Sequence, residues 1–393
     1  MRTAHGSRPT ARRIAALAFT ALLGLQPFVA AMAGPNEQAL RMYERLAGVP
    51  PTAAVLAQMS TLISQGNATA AAQLAMTNSA FYNVTLRNFV APATNRAQSA
   101  FVPLNDYIAT VIGMVRDNVP FNQVLTADML YIGNTPGAPP YAPNNNLHYQ
   151  YLDDNGVDLS TALVQTTQSS LTGIPSAATA GVITTEAAAQ AFFILGTNRA
   201  MFRFTMINYL CNDLPQVMDI TRPPDRIRQD VSRSPGGDSR VFLNNCIGCH
   251  SGMDPMAQAF AYYNYDPVQL QLVYTPGVSQ AKYHINTGNF PDGYVTLDDN
   301  WDNRWREGPN AALGWSPTQS GSGEGAKALG MELAGSQAFA SCQVQKVFQA
   351  ICLRTPSTPA DYTQAAQISA DFVSSGYSMK QVFAETAVYC MGN

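Results

Sequence analysis

The run N-N-C-I-G-C-H-S-G-M-D-P, residues 244–255, holds the side chains with the most definite chemistry in the chain. Two thiols separated by two residues, with an imidazole directly after the second, form the pattern by which a protein takes two covalent bonds to haem and ligates its iron. On this reading Cys246 and Cys249 attach one haem c and His250 is the proximal iron ligand. With 6 Cys and 4 His in 393 residues, such a run arises by chance in roughly one chain in a thousand of this composition. Three other uses of paired cysteines compete with it. A zinc site needs a second ligand pair, and the sequence has no further C-x-x-C, C-x-x-H or H-x-x-H. A thioredoxin-like pair belongs at the start of a helix in a βαβ pattern, which this chain lacks. A plain structural disulfide is the third.

The ligand on the other face of the iron decides what a haem does there: methionine raises the potential, histidine lowers it, and an open position admits small molecules. Met253 and Met256 follow His250 too closely to cross the ring plane. Met331, beyond the run SGSGEGAKALG, is far enough along and is the distal candidate, with His284 in AKYHINTG as the alternative and His148 behind it. A core position for Met331, a surface loop for His284 and an open iron are the competing readings. Trp301, Arg304, Trp305 and Arg306 in WDNRWREG are candidates to wall the haem and pair its propionates, since guanidinium forks suit carboxylates and indoles donate an N–H. The same residues read equally well as an aromatic core edge with solvated arginines. Arg222, Arg226, Arg228, Arg233 and Arg240 offer a docking patch for a redox partner, unless Asp225, Asp230 and Asp238 neutralise them. No G-x-S-x-G and no phosphate-binding glycine loop is present, and Asp153-Asp154 reads as a turn.

These residues need a compartment and a frame. Arg2, Arg8, Arg12 and Arg13 precede the apolar run IAALAFTALLGLQPFVA and the small-residue pattern Ala31-Met32-Ala33, which predicts an export signal over 1–33 cut after Ala33. The alternative, a retained membrane anchor, is opposed by a short run broken at Gln26 and Pro27. No later stretch approaches a membrane span, so the chain is expected to be periplasmic or secreted and not an integral membrane protein. At 46% hydrophobic and 12% charged residues it can bury large cores, and a net charge of −3 provides no basic field for nucleic acid. NEQALRMYERLAG and TAAVLAQMSTLISQGNATAAAQLAMT place apolar residues at three- and four-residue spacing, so an N-terminal helical domain is expected over 34–132. Pro, Gly and Asn in GNTPGAPPYAPNNN open a loop-rich excursion over 133–185. A helical segment begins at the cap signal Thr184-Thr185-Glu186, runs to Cys211 and leads into an Arg-rich connector, giving a unit over 186–240. A haem domain over 241–340 and a C-terminal helical segment over 341–393 complete a mainly α, multi-helical chain with an embedded cytochrome c-like haem domain.

The remaining Cys211, Cys342, Cys352 and Cys390 are an even set in an exported chain, which predicts two disulfides. Cys342 and Cys352 share one predicted helix, about 15 Å apart at 1.5 Å per residue, whereas a bridge needs Cα atoms within about 7 Å. Predicted helices near 341–353, 361–374 and 378–390, packed up-down-up, bring Cys352 to Cys390 and leave Cys342 for Cys211.

CIGCHSGMDPMAQAFAYYNYD resembles the haem segment of the large secreted cytochrome c-like family first described from planctomycetes, in which C-x-x-C-H is followed by D-P and an aromatic stretch ending in Asp. FASCQVQKVFQAICLRTPSTPADY and DFVSSGYSMKQVFAETAVYC are similar to that family's C-terminal helical segment. The resemblance covers 184–266, 336–390 and part of 36–132, and implies a monohaem c-type protein whose substrate it leaves open. Electron transfer with a redox partner protein is the leading expectation. The stretch of chain ahead of 184 exceeds what a carrier needs, which keeps two alternatives: a haem-dependent oxidoreductase, peroxidase-like or acting on an organic substrate, or its electron-transfer subunit; and a haem-containing scaffold or sensor.

Overall fold

The computed structural model describes residues 33–194 and 196–392. The expected export signal lies outside the described residues except for Ala33. The chain is mainly helical. Its helices of seven residues or more are α1 Pro35–Ala47, α2 Ala53–Ser64, α3 Ala68–Ala75, α4 Asp106–Arg116, α5 Leu147–Asp154, α6 Glu186–Phe192, α7 Arg199–Thr205, α8 Ile247–Ala257, α9 Gly325–Ala334, α10 Gln337–Cys352, α11 Pro359–Ser374 and α12 Met379–Cys390. Local chemistry sets their ends: Pro35 opens α1, Gly48 closes it at φ 73°, and Thr52, Asn67 and Asn105 accept backbone N–H groups at the starts of α2, α3 and α4.

Among the described residues strands occur only as short antiparallel pairs: β1 Leu130–Gly133 with β2 Leu163–Thr166, β3 Tyr263–Asp266 with β4 Gln271–Tyr274, and β5 Asn300–Asp302 with β6 Ser322–Glu324. The excursion over 133–185 is thus pinned by β1 and β2 and contains α5. The expected continuous helical segment from Glu186 to Cys211 divides into α6 and α7, because Gly196 and Asn198 take positive φ angles of 58° and 57°.

One interior serves all of these segments. Ala39 and Leu46 of α1, Ile108 and Ile112 of α4, Met253 and Met256 of α8, Trp305, Val344 and Val347 of α10 and Phe383 of α12 belong to the same buried cluster. The segment 241–340 is therefore packed into a core common to its neighbours. At the C-terminal end α10 packs on both α11 and α12, and α12 reaches α1 and α3. The two expected disulfides are present, Cys211–Cys342 with Cα atoms 5.2 Å apart and Cys352–Cys390 with Cα atoms 5.5 Å apart.

Asp106, at the start of α4, is buried and accepts the Glu186 and Ala187 N–H groups at 2.6 and 3.1 Å, so one helix caps another. Burial pushes Asp106 up to about 6 despite these donors. Burial, and then the neighbouring Asp106, push Glu186 up to about 8. A carboxyl group raised in the fold opposes ionisation, so its contribution is intact below about 4.5 and is lost as pH rises through about 8. Glu186→Gln should leave stability unchanged near pH 4 and raise it by about 1–3 kcal/mol at pH 9, read from urea denaturation at both pH values. Replacing Cys352 and Cys390 together by serine should lower the unfolding free energy by about 2–4 kcal/mol in the same assay, since their bridge closes a loop of 38 residues.

Candidate functional site

The helix α8 carries Cys249 and His250 in its first turn, and Cys246 ends the single wide turn Phe242–Cys246 that leads into it. Positions 246, 249, 250 and 253 repeat at three- and four-residue spacing, so Cys246, Cys249, His250 and Met253 share one face. The opposite face carries Gly248 and Gly252. A Cβ at Gly252 would stand 1.9 Å from the Trp305 indole nitrogen, and one at Gly248 would stand 2.3 Å from Met218 Cγ. The two glycines let Trp305 and Met218 lie directly on the backbone of α8, which fixes the rotation of the helix and hence the direction of its cysteine and histidine face.

That face opens on a cavity of about 420 Å³. His250 and Met253 form one side, Arg199, Ala200, Arg203 and Phe204 of α7 form another, and Arg96 and Leu214 complete it. Both cysteines are free thiols and half-buried. Cys246 packs beside Ile227, Val231 and Phe242, and Cys249 Sγ lies 3.6 Å from the Leu214 carbonyl oxygen. Burial, and after it Cys246, push the Cys249 thiol up, the reverse of what an activated redox thiolate requires. Among the described residues no group of three or more His, Cys, Asp or Glu side chains converges on a point that would hold a metal ion.

The His250 ring is 20% exposed, and its Nδ1 lies 3.1 Å from Asp254 Oδ1, one helical turn on. Arg199 grips the same carboxylate through Nε at 2.7 Å and Nη2 at 2.9 Å, and Arg228 approaches it at 3.8 Å. Burial opposes the Asp254 charge, but Arg199, Arg228 and His250 outweigh it and hold the carboxyl well below the usual range. An ionised carboxylate can only accept, so Nδ1 carries a proton and Nε2 is the ring nitrogen that Asp254 does not engage.

The other residues singled out in the sequence are distributed differently. Trp305 has no exposure and lies on the back of α8, and Trp301 is buried in β5. Arg304 pairs with Asp225 and Asp302, and Arg306 forms a two-pronged pair with the buried Glu332 at 2.8 and 2.7 Å. None of these four lines the cavity, because Gly252 admits the indole on the far side of the helix. Met331 is 46% exposed on α9, and His284 is exposed with Nε2 2.7 Å from Ser279 Oγ; neither reaches the cavity. His148 is buried and committed at both nitrogens, accepting the Gly133 N–H at 2.9 Å and donating to the Pro139 carbonyl at 2.6 Å. The connector arginines are mostly engaged: Arg222 with Asp219 and Glu307, Arg228 with Asp254, Arg233 with the Val231 and Ile227 carbonyls, and Arg240 with Asp238. Arg226 bonds the Asn300 carbonyl and stacks on Tyr294.

Asp254, Arg199, Arg96 and Arg203 escaped the reading of the sequence. Asp254 stands four residues after His250, a helical hydrogen-bonding distance that was available to be read. The three arginines come from 47 or more residues earlier than His250, and only the fold brings them in. No protein-family model, no curated protein and no solved structure matches the chain.

The close contact on α8 gives a direct test of how the helix is held. Gly252→Ala must displace Trp305 and should cost about 1–3 kcal/mol of unfolding free energy in urea, whereas Gly288→Ala, with open space around it and no left-handed backbone, isolates the cost of a glycine change alone.

Proposed function

We propose that this protein is an exported monohaem c-type redox protein with an embedded cytochrome c-like haem site, passing single electrons to or from a partner protein. The observation that carries this reading is the common face of α8, on which Cys246, Cys249 and His250 follow one another at helical spacing, with His250 lining a cavity and its Nδ1 engaged by Asp254. A covalently bound haem supplies an iron that alternates between ferric and ferrous states. The residues fit such a group. Each thiol adds across a vinyl double bond, sulfur to one carbon and hydrogen to the other, so attachment needs both cysteines reduced and consumes no oxidant. Phe204, Leu214 and Met253 offer apolar contact beside His250, and Arg96 and Arg203 line the same cavity, Arg203 paired with Asp213 and Arg96 bonded to the Ala191 and Ile194 carbonyls.

Export is supported by the two disulfides, which belong to oxidising compartments. Among the described residues no helix is long and apolar enough to cross a membrane. A second reading, a haem-dependent oxidoreductase, is favoured by the wall opposite α8. There Ala200, Phe204, Leu214, Arg96 and Arg203 present no thioether or imidazole, so small molecules would have access to the iron.

The protein produced with its own leader in a host that matures c-type cytochromes should carry the mass of one haem after denaturation and show a c-type reduced spectrum. Replacing both Cys246 and Cys249 by alanine should abolish the covalent mass. A wild-type chain recovered without haem from such a host would sink the proposal. Carbon monoxide separates the two readings: an unchanged reduced spectrum identifies the electron carrier, and rapid binding identifies the open iron of an enzyme.

A further inference from the structure

Arg199 is already neutralised on one edge of its guanidinium. Asp230 takes Nη1 at 2.5 Å and Nη2 at 3.0 Å, while the other edge is given to Asp254. The second, wholly buried carboxylate, Asp254, is shared with Arg228 at 3.8 Å and is at the same time 3.1 Å from Nδ1 at the back of the His250 ring. Resting on the haem assignment above, we infer that Asp254 is a positioning residue that polarises the Nδ1–H bond of His250, makes its imidazole a more basic ligand and holds the bound haem at low potential.

The surroundings favour polarisation over proton transfer. Two carboxylates, Asp230 and Asp254, face two guanidinium groups, Arg199 and Arg228, so the cluster is charge-balanced with His250 as a neutral imidazole. Arg228 is fixed as well: it stacks over the Tyr283 ring at 4.9 Å, donates to Thr197 Oγ1 at 2.6 Å, and its backbone N–H lies 3.4 Å from Asp254 Oδ2. A carboxylate held so firmly cannot swing away from the ring. A ligand histidine whose second nitrogen donates to a carboxylate gives more electron density to its metal than one donating to a neutral carbonyl. Greater density stabilises ferric over ferrous iron and lowers the potential. When one electron is transferred the donor loses it, the iron gains it, and the Nδ1 proton stays on His250. Such a centre requires a strongly reducing donor and readily reduces its acceptor, which narrows the class of partner at each end.

The test is a mediated redox titration of the haem-loaded protein and of Asp254→Asn. The variant is expected to shift the reduction equilibrium at least tenfold towards ferrous iron, a rise of about 59 mV for one electron. A loaded variant that shifts by less than tenfold, or in the other direction, overturns the inference and leaves the haem assignment standing. A wild-type protein without covalent haem removes the assignment itself. Because Asp254 also holds Arg199 and the buried Arg228, a measurement on the unaltered protein accompanies the variant: the proton NMR shift of the His250 Nδ1–H in the diamagnetic ferrous haem, as it stands or as its carbon monoxide adduct where the iron is open. A resonance far downfield, as for a proton held by a carboxylate, supports the inference, and one at the position of an imidazole bonded to a neutral carbonyl overturns it.

Discussion

A buried carboxylate organises this molecule. Asp254 on α8 is approached by Arg199 from α7 and by Arg228 from the connector, and Arg199 in turn holds Asp230. Ion pairs removed from water repay little net stability, because desolvating the charges costs about as much as their attraction returns; the loss of one partner, however, strands a charge and costs about 3–5 kcal/mol. The cluster is therefore better understood as a specification than as a source of stability. It permits one relation between α7, α8 and the connector, and the cavity beside His250 is the space that this relation leaves.

The back of α8 is specified by shape instead of charge. Gly248 and Gly252 stand four residues apart on the face away from His250, and Met218 and Trp305 occupy the room their missing side chains leave. Trp305 is in turn held by its neighbours: its backbone N–H bonds Asn303 Oδ1 at 3.0 Å, and Asn303 donates to the buried Glu332 that also binds Arg306. A helix packed this closely on one face and salt-bridged on another has no freedom to rotate about its axis.

The sequence was legible where its information is local or covalent. Helix periodicity located α1, α2 and the C-terminal helices α10–α12; excluding a bridge within one helix left two cysteine pairings, and the expected up-down-up packing of the last three helices selected the one the structure contains. The C-x-x-C-H run marked the segment on which the site stands. Failure came where residue type was taken for position. WDNRWREG has the right chemistry to surround a propionate, yet its arginines are paired with Asp225, Asp302 and Glu332, and Trp305 is drawn to the glycine face of α8. Met331 was chosen for its distance along the chain, whereas α9 turns Glu332 inward and leaves Met331 half exposed. The break between α6 and α7 was missed because Asn198 adopts a positive φ that composition does not announce. Its side chain explains the choice, donating to the Phe260 and Tyr263 carbonyls in the buried stretch after α8.

The two disulfides act on this site unequally. Cys352–Cys390 ties α10 to α12 and stays within the C-terminal helices. Cys211 follows directly on the turn that ends the α7 segment, and its partner Cys342 lies on α10, 131 residues on. The cavity wall carrying Arg199, Ala200, Arg203 and Phe204 is thereby fastened covalently to the C-terminal bundle, while its other end is fastened to α8 through Asp254. The Cys211–Cys342 bond belongs to an oxidising compartment, whereas Cys246 and Cys249 of the α8 segment are free thiols in the same fold. Geometry keeps the two kinds apart. Cys249 is beside the Leu214 carbonyl and Cys246 among apolar side chains, while Cys211 and Cys342 are already bonded to each other. The fold thus sorts six chemically identical residues into two structural bridges and one pair of free thiols.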